Sequence, residues 1–240
     1  MLQILDVVDQ AIEFGVDPAQ VNENEVVGFA ARASDYRLEP GTNSTSAAMM
    51  IGFRADKAGG ERLSGRAAVP AVDWRDEIFA VLKQSGIAQI GYVPDAGHVR
   101  LIELVHADPE IRAIPLTSEE EGVAVAAGAW LGGQRAALLM QSSGIGNCIN
   151  MLSLSKNCRF PLLILVTMRG EWAEFNPWQV PMGLKTRAAL ELMDVLVYRV
   201  EDEEAAAETV AAAIDIAYNS DLAVAVLLSQ RLIGAKRWVK

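Results

Sequence analysis

The chain has 240 residues, 31 acidic and 21 basic, for a net charge of -10. That length holds one substantial domain plus an extension, and the acidic balance argues against nucleic acid or an anionic membrane surface as the main partner. Cys148 and Cys158 are too far apart for a CxxC pair, and His98 and His106 cannot by themselves build a metal site, so no metal ligands are expected. Both cysteines are expected as buried thiols, which fits a reducing cytosol. Asp6 and Asp9 interrupt the first apolar residues, and no basic segment precedes them, so no secretory signal is expected. The apolar runs over 123–133 and 161–168 fall short of the ~20 residues that span a bilayer, so the chain is expected to be soluble and cytoplasmic.

In chain order, residues 1–71 read as a loosely ordered extension, with short helices over 2–14 and 26–32 and two turn-rich stretches that lack periodicity. A wrongly assigned start codon is the alternative for this segment. From residue 72 to residue 240 the pattern is that of one regular domain. Asp73 caps a helix to about Gln84, and a strand over 88–93 leads through Pro94-Asp95 into a helix over 98–105. Further strands are expected over 111–116, 135–141, 161–168, 195–200 and 222–229, with helices over 119–131, 145–157, 185–193 and 203–217. The stretch Leu162-Leu163-Ile164-Leu165-Val166 is continuously apolar, as in a strand covered on both faces. Strict alternation of strand and helix predicts an α/β fold: a doubly wound, mostly parallel six-stranded sheet with helices on both faces. Ligands of such sheets bind at the carboxyl ends of the strands. The motif-bearing segments fall there: Pro94-Asp95, Glu119, the turn over 143–147 and the loop from Arg169.

Three of these segments suggest chemistry. Glu119, Glu120 and Glu121 open a helix of small apolar residues, and acids at a helix N-terminus are stabilised by the macrodipole. A helix so small-sided packs close to a neighbour, which would partly bury a carboxylate at its mouth and suit it to proton exchange. The turn Ser142-Ser143-Gly144-Ile145-Gly146-Asn147 offers main-chain amides at a helix start. It fails as a dinucleotide fingerprint, since it follows a middle strand and lacks the full GxGxxG, and it lacks the GK[ST] of a P-loop. The loop over 168–183 holds two tryptophans and is long for a compact domain, the mark of a functional loop.

Together these segments resemble the pyrimidine-binding (PYR) domain of thiamine-diphosphate enzymes, most of all the alpha subunits of sulfopyruvate and phosphonopyruvate decarboxylases. The resemblance implies that Glu119, reached by counting back from Gly128, is catalytic and contacts N1′ of the aminopyrimidine ring. It implies Pro94 beside the pyrimidine, Gly144 and Gly146 giving close approach, Ile145 packed on the ring, and Asn147 lining the pocket or capping the helix. Asp95, Ser143, Arg169 and Gln179 are implied at the substrate, with Lys185 as a further candidate, and His98 is either a proton donor or a residue of the helix surface. Two departures stand out: Ile145 where most of the wider family has proline or valine, and Ala96 where the alpha subunits usually have serine.

The resemblance covers about 73–229. The Gly-Asp-Gly segment and later asparagine, with which thiamine-diphosphate enzymes hold Mg2+ and the diphosphate, do not occur in the chain. The implied role is therefore half of an enzyme that binds thiamine diphosphate against a PP-domain beta subunit, which holds the Mg2+, within a self-associating hetero-oligomer. Gly122, Ala126, Ala129, Trp130 and Trp172 are expected on the surface facing that partner. The implied reaction is decarboxylation of a small 2-oxo acid, sulfopyruvate or phosphonopyruvate, to an aldehyde and CO2. The alternatives are a carboligase or another 2-oxo acid decarboxylase half, a non-catalytic assembly subunit of the same fold, and a Rossmann-type nucleotide binder.

Overall fold

In the computed structural model, which describes residues 73–234, strand and helix alternate as the apolar pattern requires. The expected extension over 1–71, with its helices over 2–14 and 26–32, lies outside the described residues. Asp73 accepts a hydrogen bond from Arg75 N at 2.9 Å, and with that cap in place α1 (Trp74–Gln84) begins. There follow β1 (Ile87–Tyr92), a 3-10 turn (Ala96–His98), α2 (Val99–Ala107), β2 (Arg112–Pro115), α3 (Glu119–Leu131) and β3 (Arg135–Gln141). A second 3-10 turn (Ser142–Gly144) leads into α4 (Ile145–Cys158), β4 (Leu162–Thr167), α5 (Gln179–Gly183) and α6 (Thr186–Leu192). The described residues close with β5 (Leu196–Val200), α7 (Ala206–Ser220), β6 (Ala223–Leu228) and α8 (Gln230–Ile233).

The strands form one sheet in the order β2-β1-β3-β4-β6-β5, every pair parallel. A parallel sheet needs cover on both faces, and side chains alternate across it. On one face Leu139, Leu163, Leu165, Val224 and Val226 pack with Ile78 and Leu82 of α1, Leu101 and Val105 of α2, and Val210 and Ile214 of α7. On the other face Leu138, Met140, Leu162, Ile164, Val166 and Leu227 pack with Val123 of α3, Leu152 of α4 and Leu190 of α6. All six residues of β4 are buried, so truncating any of its leucines to alanine costs about 2–5 kcal/mol.

Two expectations need correction. The small residues of α3 are turned inward: a Cβ on Gly122 would stand 2.2 Å from Leu138 Cδ1 and 2.9 Å from Leu116 Cδ1. Ala126 and Ala129 are likewise buried, so they bring α3 close to its own sheet instead of facing a partner, while Trp130 and Trp172 are exposed as expected. Cys148 is buried, and burial pushes its thiol up. Cys158 is exposed, because it is the last residue of α4, just before the chain reverses through left-handed Arg159.

The loop after β4 is folded back and fastened. Gly170 has a φ of +76°, and a Cβ there would stand 2.2 Å from Gln179 O; one on Gly183 would stand 1.9 Å from Arg169 O. Only glycine allows backbones to touch at both crossings. Within the loop, the buried Glu174 carboxylate accepts from Arg169 Nε and Nη2 (2.9 and 2.8 Å), Gly170 N (2.9 Å), Asn176 N (3.0 Å) and Gln230 Nε2 (2.8 Å). Gln230 Oε1 in turn accepts from Glu171 N and Trp172 N, and Arg199 of β5 donates to both oxygens of Glu171. Burial favours the neutral form of Glu174, but the Arg169 and main-chain donors outweigh it and lower the pKa to about 2. A carboxyl whose folded pKa is depressed stabilises the fold above its unfolded pKa. That contribution is therefore lost as pH falls from the ordinary glutamate range toward about 2. Replacing Glu174 by Gln removes the negative charge that faces the buried Arg169 guanidinium and is expected to cost about 3 kcal/mol in denaturant unfolding at pH 7. The variant's stability should also vary less between pH 5 and pH 3 than that of the unaltered chain.

Candidate active site at the carboxyl ends of the strands

The chain leaves β1 toward β2 on one side and returns to β3 on the other, so the strand order reverses between β1 and β3. A crevice opens at the carboxyl ends of strands where the order reverses. The segment after β1 (Pro94-Asp95), the mouth of α3 (Glu119) and the turn after β3 (Ser142–Gly144) all follow from this topology.

Glu119 is 6% exposed at the first position of α3. Its carboxyl group lies against Gly144, where a Cβ would stand 2.4 Å from Glu119 Cγ and 2.5 Å from Oε1. The missing side chain of Gly144 is the space that the acid fills. Asn147 Nδ2 donates to Glu119 Oε2 at 2.7 Å, the one hydrogen bond to this carboxylate among the described residues. Glu120 is half-buried, and Glu121 is exposed and accepts from Thr117 N at 2.9 Å; that capping bond is the solvated role open to acids at a helix start.

Asp95 is also buried, but its carboxylate is fully engaged. Oδ2 accepts from Thr167 Oγ1 and from Gly97 N (3.1 Å), and Oδ1 accepts from Gln141 Nε2 (3.0 Å). Ser143 Oγ donates to Gln141 Oε1 at 3.0 Å, so Ser143, Gln141, Asp95 and Thr167 form one chain across the ends of β1, β3 and β4. Ser142 Oγ accepts from Arg169 N at 3.0 Å and ties the turn to the loop after β4.

The remaining candidates divide. Gly146 and Asn147 are exposed at the start of α4, and Pro94 is half-buried after β1. Ile145 is fully enclosed by this chain's own core, so a ring docking on the turn would meet Gly146 and Asn147 in place of its side chain. His98 is in the interior, not on a helix surface: its Nε2 lies 3.1 Å from Leu165 O, and burial pushes its pKa down. A neutral imidazole whose ring N–H serves a main-chain carbonyl holds the 3-10 turn to β4. Arg169 presents its fork to Glu174, as described above, and lies over the Phe175 ring at 5.4 Å. Gln179 is 3% exposed, and its buried Oε1 has no hydrogen-bond partner among the described residues. A buried carbonyl oxygen without a donor is costly. Lys185 is exposed. Sequence reasoning missed α5, which sets Gln179 beside Gly170 and Met182 Sδ 3.5 Å from a Cβ on Gly146; a five-residue helix containing Pro181 shows no periodicity. It also missed Gln141 and Thr167, where only their position at strand ends was a signal.

Among the described residues no group of three or more His, Cys, Asp or Glu side chains is placed to hold a metal ion, and no helix is long and apolar enough to cross a membrane. The turn does fit an aminopyrimidine ring: a buried carboxyl with one oxygen unbonded among the described residues, for a ring nitrogen, and glycines that leave the backbone open.

Comparison with known proteins gives the same picture. Residues 73–177 match the family of the thiamine pyrophosphate enzyme N-terminal TPP binding domain. The chain is 39% identical over 158 residues to the sulfopyruvate decarboxylase subunit alpha of Methanothermobacter thermautotrophicus, covering 96% of that protein and 65% of this one. It is 38% identical over 121 residues to the phosphonopyruvate decarboxylase of Streptomyces viridochromogenes, covering 30% of that protein and 50% of this one. In fold it is similar to a 2-oxoglutarate:ferredoxin oxidoreductase of Magnetococcus marinus, with a TM-score of 0.54 at 14% identity, over 68% of this chain and 29% of that one. With a thiamine pyrophosphate-binding domain over the residues that build the crevice, and near full coverage of an alpha subunit, the chain belongs to the sulfopyruvate decarboxylase alpha-subunit family.

Proposed function

We propose that this chain is the pyrimidine-binding half of a two-chain, cytoplasmic 2-oxo acid decarboxylase that uses thiamine diphosphate on sulfopyruvate or phosphonopyruvate and releases CO2 and an aldehyde. The observation that supports this best is the Glu119 carboxyl group, buried against Gly144 with a single hydrogen-bond donor. When bound, thiamine diphosphate supplies a nucleophilic carbon for the 2-oxo group and an electron sink for the bond to the departing carboxylate. Glu119 exchanges a proton with N1′ of the ring, which is general acid–base chemistry from a fixed position. Gly144 and Gly146 leave room for the ring at the backbone. Gln179 offers its unpartnered Oε1 to a donor of the bound substrate or cofactor. Arg169, engaged by Glu174, shapes the loop after β4. In this reading the partner is a PP-domain beta subunit, which also holds the Mg2+ and diphosphate.

Co-expression with such a beta subunit tests the reading, through CO2 release from sulfopyruvate, phosphonopyruvate and pyruvate with thiamine diphosphate and Mg2+. Activity that needs both chains supports the split decarboxylase, and the best substrate identifies the acid it acts on. A stable, cofactor-binding complex that is inactive on all three acids would point to carboligation or an assembly role. Glu119→Gln is expected to assemble normally and lose at least 100-fold in kcat; turnover within tenfold of the unaltered complex would remove Glu119 from the chemistry. Gly144→Ala would push the carboxyl group aside by its Cβ, with an expected tenfold or greater loss of kcat and a melting temperature changed by less than about 3 °C.

A further inference from the structure

We propose that Asn147 is the positioning residue of the Glu119 carboxyl group, holding Oε2 so that the exchangeable proton sits on Oε1. The inference rests on the functional reading above and adds which oxygen does the work. Asn147 Nδ2 donates to Oε2 at 2.7 Å, and an N–H donor is best received by the carbonyl-type oxygen of a carboxylic acid. The proton then belongs on the other oxygen. Oε1 is the atom that would stand 2.5 Å from a Cβ on Gly144, so the glycine and the asparagine fix the two oxygens from opposite directions in role: one leaves space, the other binds.

Both constraints come from the same turn, 25 to 28 residues beyond Glu119, and reach the acid because α3 and α4 pack side by side on one face of the sheet. Asn147 itself is exposed, in the first turn of α4. Its truncation therefore opens no cavity, and an effect on turnover would not come from a loosened core. The ionisable groups around the carboxyl group are few. Glu120 and Glu121 follow on α3, and the main chain at Thr117 engages Glu121. From α4 comes the buried Cys148 thiol, which feels the charge of both Glu119 and Glu120. The turn Ser142–Gly144 has no ionisable side chain, and Asp95 beyond β1 is engaged by Thr167 and Gln141.

The experiment compares Asn147→Ala, Asn147→Ser and Asn147→Asp in the assembled complex with thiamine diphosphate and Mg2+. It measures kcat and KM against pH, together with cofactor Kd by tryptophan fluorescence. The alanine variant is expected to lose about tenfold in kcat, the size of one hydrogen bond to an ionisable group. Its KM for the 2-oxo acid should stay within twofold, and its cofactor Kd should rise at least threefold. Serine, a shorter donor, should restore part of the loss. Aspartate sets a second carboxyl group beside the first, so one proton is shared between like charges, the proton is held to higher pH, and the alkaline limb of the kcat profile should move up by a pH unit or more. An unmoved profile in the aspartate variant, with kcat of the alanine variant within twofold, overturns the proposal while Glu119→Gln remains inactive. If Glu119→Gln is itself active, the functional reading fails, and the role of Asn147 falls with it. If the aspartate variant does not assemble, the alanine and serine pair decides on kcat and Kd alone.

Discussion

A carboxyl group taken out of water must be given donors, and much of the carboxyl edge of this sheet is organised around that requirement. Three such groups are buried there, and they are served unequally. Glu174 receives five hydrogen bonds, two of them from a guanidinium, and Asp95 receives three. Among the described residues Glu119 receives one. The first two are closed structural units that hold the loop after β4 and the ends of β1, β3 and β4. The third is left with one oxygen that the described residues do not serve.

The unequal service depends on how near α3 comes to the sheet and to the next turn. Gly122 lets the helix sink onto Leu138 and Leu116, and Gly144 lets the carboxyl group occupy space that any other residue would fill. The parallel order, reversing between β1 and β3, brings that helix mouth and that turn to the same end of the sheet. Neither glycine is needed for a left-handed backbone; both are needed because something else comes too close. The site is thus a product of packing distance more than of loop conformation.

The regular part of this architecture was readable from sequence because it rests on local pattern. Strand and helix positions over 73–229 follow from apolar periodicity and caps, and the α3 and β3 boundaries match the expected ones. What the pattern could not reveal depends on partners far apart in the chain. Arg169 looked available for an anion, but its guanidinium is engaged by Glu174, a carboxylate that Gln230 also serves from far along the chain. His98 looked exposed because an imidazole beside a turn usually is; its burial against Leu165 is a tertiary fact. The inward turn of Gly122, Ala126 and Ala129 was ambiguous because a helix made of small residues has no obvious apolar side. Among three adjacent acids only the resemblance to thiamine-diphosphate enzymes singled out Glu119, and of the three it is the one the fold buries.

The latch on the loop after β4 has a consequence for where this domain can be joined or cut. The last strand ends at Leu228, so a fragment stopping there would retain all six strands and their hydrogen-bonded neighbours. Gln230, two residues later, receives the main chain at Glu171 and Trp172 and reaches Glu174. A fusion junction or a permuted terminus placed between the two would leave a folded sheet whose loop after β4 is no longer fastened. The functional boundary of the domain lies beyond its structural one, past Ile233, and a linker to any covalently attached neighbour would have to start there.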